Sequence, residues 1–146
     1  MKDVLRPIDI LLIDDNEDDI LIVKRIFKKL RTTNSLHAVQ SGEAGLDYLR
    51  GRGSYSKVDM PVTGLILLDI SMPGMDGFAV LEELKADPEL RKIPVIMLTT
   101  SSEEEDVVRS FKGGACSFIT KPVKKEEFFT ALEQLSIYWT MVTKRP

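Results

Sequence analysis

Apolar residues in this chain follow two alternating patterns. Continuous runs of strand length occur at Ile8-Asp9-Ile10-Leu11-Leu12-Ile13, Leu65-Ile66-Leu67-Leu68 and Pro94-Val95-Ile96-Met97-Leu98. Runs of that kind fit strands covered on both faces of a parallel sheet. Shorter strands are expected at Ser35 to Gln40 and at Ser117-Phe118-Ile119-Thr120. Between the runs, apolar residues recur at the three-to-four spacing of helices. They are Ile20, Val23, Ile26/Phe27 and Leu30, then Leu46 and Leu49, then Phe78, Leu81 and Leu84. Val107, Val108 and Phe111 mark a fourth helix, and Phe128, Ala131, Leu132, Leu135, Trp139 and Val142 form the stripe of a fifth.

Terminal signals divide these segments. Asn16 is the expected N-cap of the first helix, whose Glu17, Asp18 and Asp19 complement the positive end of the helix dipole. Ser41-Gly42-Glu43 opens the second helix, Asp76 caps the third, and Ser102-x-x-Glu105 reads as a capping box for the fourth. Asp87-Pro88 and Gly113-Gly114 stop the third and fourth, while the last helix is expected from about Lys124 to Met141. Gly51 to Thr63, with its Gly, Ser, Pro and charges, reads as a surface loop. Strands thus alternate with helices five times over, which predicts an α/β, doubly wound five-stranded parallel sheet with right-handed crossovers.

Composition narrows the class only a little. The 146 residues fit one domain, 1–146 with a core of about 8–140, and 43% hydrophobic residues suffice for a core. A net charge of -3, with both signs mixed along the chain, gives no reason for binding nucleic acid or an anionic membrane. The single cysteine, Cys116, excludes an internal disulfide and is expected as a small buried core residue. There is neither a signal peptide nor a membrane-length apolar run, so a cytoplasmic protein is expected.

The chemistry gathers where the strands end. Asp14 and Asp15 follow the first strand, Asp69 the third, Thr99 the fourth and Lys121 the fifth. All are expected on one rim of the sheet, at the strands' carboxyl ends, where such sheets bind ligands. Two carboxylates ~4 Å apart repel by roughly 4 kcal/mol at an effective dielectric near 20. The cluster therefore needs a cation, and hard oxygen donors select Mg²⁺, Ca²⁺ or Mn²⁺. With a cation and Lys121 to neutralise the moving phosphoryl oxygens, Asp69 suits the role of nucleophile, ionised at neutral pH and needing no general base. His37, the single histidine, falls on the second strand away from the rim and reads as a surface or half-buried strand residue.

Four motifs carry a resemblance: Leu11-Leu12-Ile13-Asp14-Asp15-Asn16, the run from Leu67 through Asp69-Ile70-Ser71-Met72-Pro73-Gly74-Met75-Asp76-Gly77, Met97-Leu98-Thr99-Thr100, and Phe118-Ile119-Thr120-Lys121-Pro122. In this order and at these intervals they resemble the receiver domain of two-component response regulators, from about Asp9 to Tyr138. The resemblance implies a flavodoxin-like (βα)5 fold with Asp69 as phospho-acceptor. It implies Mg²⁺ (or Mn²⁺) held by Asp14, Asp15, Asp69 and the backbone carbonyl of Ser71. Thr99 and Thr100, Lys121 and Phe118 become the phosphate-binding and switch residues, and Lys121-Pro122 a cis peptide. A histidine kinase is the implied phosphoryl donor, and a downstream protein target or a phosphotransfer protein the recipient of the signal. No enzymatic activity is implied beyond self-phosphotransfer and autodephosphorylation.

The chain's end at Thr143-Lys144-Arg145-Pro146 leaves no room for an output domain, so a stand-alone receiver is expected. The longer loop before the third strand and the Tyr138-Trp139 ending resemble the phytochrome-associated type. Two other kinds of protein share parts of this pattern. A haloacid-dehalogenase-type phosphatase would carry a second aspartate where Ser71 stands, and would turn over small phosphate esters without a kinase. A never-phosphorylated interaction module would form no acetyl-phosphate adduct. In the last helix, Ile137 and Met141 fall nearly opposite the apolar stripe, with Phe129 between the two faces. Scattered exposed apolar residues are the plain reading; as a contact surface they predict a homodimer through the fourth helix, fifth strand and fifth helix, the face that the resemblance implies responds to the switch residues.

Overall fold

The computed structural model describes residues 9–29, 35–56, 62–100 and 103–134. In chain order the elements are β1 (Asp9–Ile13), α1 (Glu17–Lys29), β2 (Ser35–Val39), α2 (Gly42–Arg50), β3 (Thr63–Asp69), α3 (Gly77–Ala86), β4 (Val95–Thr99), α4 (Glu104–Lys112), β5 (Ser117–Thr120) and α5 (Lys125–Gln134). All strand pairs are parallel, in the order β2-β1-β3-β4-β5. The order reverses between β1 and β3, so the carboxyl ends of those two strands flank a crevice.

The apolar runs are continuous because both faces of the sheet are covered. Ile10, Leu12, Leu65, Leu67, Ile96 and Leu98 turn to one side, against Ile20, Val23 and Ile26 of α1 and Phe128, Ala131 and Leu132 of α5. Leu11, Ile13, Ile66, Leu68, Val95 and Met97 turn to the other, against Leu46 of α2 and Val80, Leu81 and Leu84 of α3. Each fully buried Leu or Ile contributes roughly 1.5–3 kcal/mol by leaving water. The caps act as the sequence indicates: Asn16 Oδ1 accepts from Asp19 N at 3.0 Å, Ser41 Oγ from Ala44 N at 3.1 Å, and Asp76 Oδ1 from Ala79 N at 2.9 Å.

Helix α4 departs from its expected form. Its N-cap is Glu103, whose side chain makes no capping bond, and Ser102 of the expected capping box lies outside the described residues. Val108 and Phe111 are 43% and 49% exposed, and the buried position is Ser110, whose hydroxyl donates to Asp106 O at 2.8 Å. Arg109 fastens the helix to α3 by lying 4.1 Å from the centre of the Phe78 ring. Cys116 is also a correction: the residue is exposed, not core. Its sulfur nonetheless turns back to Val95 O at 3.2 Å, and burial of the thiol raises its pKa. That disfavours the thiolate and so disfavours nucleophilic chemistry.

The far end of the sheet holds a polar knot that periodicity does not reveal. Asp9, 1% exposed at the start of β1, accepts from Tyr48 Oη at 2.5 Å and Ser35 Oγ at 2.7 Å. Burial, then the Asp9 bond and charge, hold the Tyr48 phenol well above its usual range. His37 stacks on Tyr48 with ring centres 4.3 Å apart, and Tyr55, from a short turn in the loop after α2, packs edge-on against both. Tyr48→Phe leaves a buried carboxyl short of a partner, at an expected cost of about 1.5–3 kcal/mol. Urea unfolding reads it directly, and a variant as stable as wild type would contradict the role given to this bond.

The last helix is described to Gln134, so Leu135, Ile137, Tyr138, Trp139, Met141 and Val142 lie outside the described residues. Phe129 is partly buried and packs against the α1/α5 side of the core, which removes it from any free apolar face. Among the described residues no helix is long and apolar enough to cross a membrane.

Candidate functional site

The rim residues meet as the strand ends require. The β1–β2 ladder continues one step past β1, where Asp14 N donates to Val39 O at 3.0 Å. The β3–β4 ladder continues likewise through Ile70 N and Leu98 O at 2.9 Å. These bonds fix the backbones of Asp14 and Asp69 at adjacent strand ends. Lys121 follows β5, and its backbone N–H donates to Thr99 O at 2.6 Å. The Lys121-Pro122 peptide is cis.

Gly77 sets the other wall. A Cβ built there would lie 2.3 Å from Asp69 O and 2.7 Å from Ile70 Cα, so α3 starts directly against the end of β3. Gly77 N donates to Ile70 O at 2.8 Å, and Gly74, at φ +76°, takes the turn that only glycine adopts freely. Gly77 stands in the motif, but its steric role is invisible without the neighbouring backbone.

The electrostatics are those of a crowded anionic site. Asp14 is fully buried and Asp69 is 3% exposed, while Asp15 is half-buried. Lys121 Nζ lies 3.0 Å from Asp14 Oδ2, 3.2 Å from Asp69 Oδ1 and 2.8 Å from Asp19 Oδ2. Burial opposes the lysine's charge, but the bonds to Asp19 and Asp14 and the charges of Asp14 and Asp69 outweigh it, so its pKa rises above the ordinary range. Asp69 moves in the opposite sense for a nucleophile. Burial, then the Asp14 charge, push it up to about 7 against the pull of Lys121. Burial and the Asp14 charge thus work against the Asp69 carboxylate and Lys121 works for it, so its ionisation depends on how the negative charge of the rim is balanced.

The donor set fits a divalent cation. Asp14, Asp15 and Asp69 each offer an oxygen, and these atoms lie within 4.8 Å of one another. Asp14 Oδ1 accepts from Asn16 N at 3.0 Å, and buried Asp14 Oδ2 faces the Lys121 ammonium at 3.0 Å. Three carboxylate oxygens this close, two of the residues buried and sharing one lysine, are what a hard cation satisfies. Asp15→Ala is expected to weaken Mg²⁺ binding by about tenfold or more, ~1.4 kcal/mol, by removing one of the three charges. The metal-free fold keeps or gains stability, because one source of repulsion is gone. Calorimetric Mg²⁺ titration paired with melting in chelator checks both, and an apoprotein that unfolds on this substitution contradicts it.

The remaining candidates occupy defined places. Thr99 is buried at the end of β4, one strand from Asp69. Phe118 lies opposite Met97 on β5 and is half-buried against the α2/α3 side of the core. Thr100 and Ser71 are exposed at the rim. His37 lies away from it, as expected. Asp19, in the sequence a helix-dipole partner, also reaches Lys121, whose Nζ donates to its Oδ2 at 2.8 Å. The available signal was its place in the first turn of a helix that starts at the rim, since helical side chains lean back toward the N-terminus.

Fold and rim define a class: a doubly wound α/β domain with a lysine-paired carboxylate cluster at the carboxyl ends of its strands. The family model for the response regulator receiver domain matches residues 10–133, and the chain belongs to that family. Its similarity to Response regulator Rcp1 of Synechocystis sp. (strain ATCC 27184 / PCC 6803 / Kazusa) is 32% identity over 140 residues, covering 96% of this chain and 94% of Rcp1. The Mn(2+)-bound form of Rcp1 superimposes with a TM-score of 0.76, covering 96% of this chain and 99% of that one. The bacteriophytochrome response regulator AtBRR is 36% identical, with a TM-score of 0.85 over 95% of this chain and 99% of its own. The phosphorylated cyanobacterial phytochrome response regulator RcpA is 31% identical, with a TM-score of 0.76 over 96% and 99%. The chain is thus a receiver of phosphorylation-dependent signalling, similar to the phytochrome-associated response regulators.

Proposed function

We propose that Asp69 accepts a phosphoryl group from the phosphohistidine of a histidine kinase. The observation that carries this is the convergence of Asp69, Asp14, Asp15 and Lys121 at one rim, with the ammonium 3.2 Å from Asp69 Oδ1. An Asp69 carboxylate oxygen attacks phosphorus, the phosphorus–nitrogen bond breaks, and its electron pair stays on the departing imidazole. The product is an acyl phosphate on Asp69. Asp14, Asp15 and Asp69, with the Ser71 carbonyl, would hold Mg²⁺, which supplies charge to keep Asp69 ionised and to balance the phosphoryl oxygens. Lys121 is already beside the oxygens that acquire charge. Incubation with acetyl phosphate and Mg²⁺ followed by intact-mass spectrometry tests the reading: one phosphoryl adduct that vanishes in chelator is expected. No adduct from either acetyl phosphate or a kinase would overturn it.

The signal then leaves by the Thr99–Phe118 pair. A Thr99 hydroxyl donating to the new phosphoryl group forms a charged hydrogen bond worth about 1.5–3 kcal/mol, enough to shift a two-state equilibrium roughly tenfold to a hundredfold. Thr99→Ala is therefore expected to retain the adduct but lose phosphorylation-dependent binding of its partner. Unchanged dependence in a pull-down or titration would refute the coupling. The receiving surface in this reading is α4, β5 and α5, where a protein target, a phosphotransfer protein or a second copy docks. Exposed Val108 and Phe111 on α4 give it apolar area that Phe129 does not supply.

A further inference from the structure

We infer that Asp19 is a positioning residue that draws Lys121 away from Asp69 and so limits how much of the lysine's charge a phosphoryl group there receives. This rests on the reading of Asp69 as phospho-acceptor and concerns a residue outside the strand-end set. The Lys121 ammonium is almost wholly enclosed, with 6% of its side chain exposed, and has three N–H donors facing three carboxylates. The shortest approach, 2.8 Å, is to Asp19 Oδ2, and there the hydrogen bond is formed. The contacts to Asp14 and Asp69 are longer, at 3.0 and 3.2 Å.

Asp19 is built to hold this place. Its backbone N–H is fixed by Asn16 Oδ1, and it stands in the first turn of α1, where the helix end favours a negative charge. Its side chain is 23% exposed against none for Asp14, so water can replace the lysine at Asp19 at less cost than at Asp14. Asp19 is thus the carboxylate from which the ammonium can be released. A phosphoryl group on Asp69 adds charged oxygens that compete for the same three donors. Whatever share Asp19 retains is denied to the phosphoryl group.

The test uses beryllofluoride, a phosphoryl mimic that binds the acceptor aspartate, titrated at saturating Mg²⁺ and followed by amide NMR. Mg²⁺ affinity is measured separately for each protein. Asp19→Asn keeps the shape and removes the charge, and is expected to bind the mimic roughly threefold to tenfold more tightly. In a Lys121→Gln background the same substitution should change affinity by less than about twofold, because the competitor then has nothing to withhold. An equal gain in that background would mean that Asp19 acts by direct repulsion, and would overturn the inference. So would unchanged or weaker binding in Asp19→Asn with Lys121 intact. A wild type that binds no beryllofluoride at all would instead remove the phospho-acceptor reading, and this inference with it.

Discussion

Asp69→Asn is expected to abolish acyl-phosphate formation and, in chelator, to make the fold more stable than wild type at alkaline pH. The first effect follows because an amide nitrogen, its lone pair delocalised into the carbonyl, is no nucleophile, while the side chain keeps its size. The second follows from the environment. In the metal-free fold, burial and Asp14 raise the Asp69 pKa from 3.8 to about 7. The native state then binds the proton more tightly than the unfolded chain. The stability this confers is complete below about pH 4, falls as pH rises, and is gone above about pH 7. Over that window the change is up to ~4 kcal/mol. Asparagine carries no titrating group, so the wild-type-minus-variant difference reports the titration of Asp69 together with the groups coupled to it, Asp14 and Lys121.

Urea unfolding in chelator at pH 5, 6.5 and 8 gives the comparison. The variant is expected to exceed wild type by about 1–4 kcal/mol at pH 8, with the gap closing toward pH 5. Adding Mg²⁺ should stabilise wild type at pH 8 far more than the variant. A wild type that gains stability over the variant as pH rises in chelator would contradict the sign. An adduct on Asp69→Asn equal to that of wild type would contradict the acceptor assignment itself.

Gly77→Ala is expected to cost about 3 kcal/mol or more, above the ~1–3 kcal/mol of ordinary overpacking. The reason is what the methyl meets: Asp69 O at 2.3 Å, Ile70 Cα at 2.7 Å and Asp69 C at 3.0 Å, all backbone atoms of the strand end that carries the candidate acceptor. Relief requires β3 and α3 to separate, which also strains the bond from Gly77 N to Ile70 O. Asp69 is displaced with them, so phosphorylation from acetyl phosphate should fall together with stability. Gly42→Ala is the control. Its Cβ would lie 2.5 Å from Val80 Cγ2, a side-chain atom and not the backbone of the strand end, so phosphorylation should be spared even where stability falls. Equal stability of Gly77→Ala and wild type, within ~1 kcal/mol, would show that the backbone contact is not a constraint.

The sheet, its doubly covered faces and the rim of Asp14, Asp15, Asp69, Thr99 and Lys121 are legible in the order of residues. These are local facts. A run such as Leu65 to Leu68, of strand length and followed by the turn residues Pro73-Gly74, reads as a strand covered on both faces, and a residue that follows it stands at the strand's carboxyl end. The caps at Asn16, Ser41 and Asp76 are local for the same reason, each closing on an amide three residues on.

Tertiary structure alone decided the rest, because each point depends on a partner distant in sequence. Val108 and Phe111 have helical spacing, but the neighbours of α4 settle which face is inside, and they choose Ser110. Asp9 looks like an interruption of a strand until Tyr48 and Ser35 reach it. Asp19 serves its helix end in sequence, but only the fold brings Lys121, 102 residues later, within 2.8 Å. The ionisation of Asp69 was legible least of all: its type and place are local, but its proton is governed by burial and by the summed charges of Asp14 and Lys121, which only the assembled rim brings together.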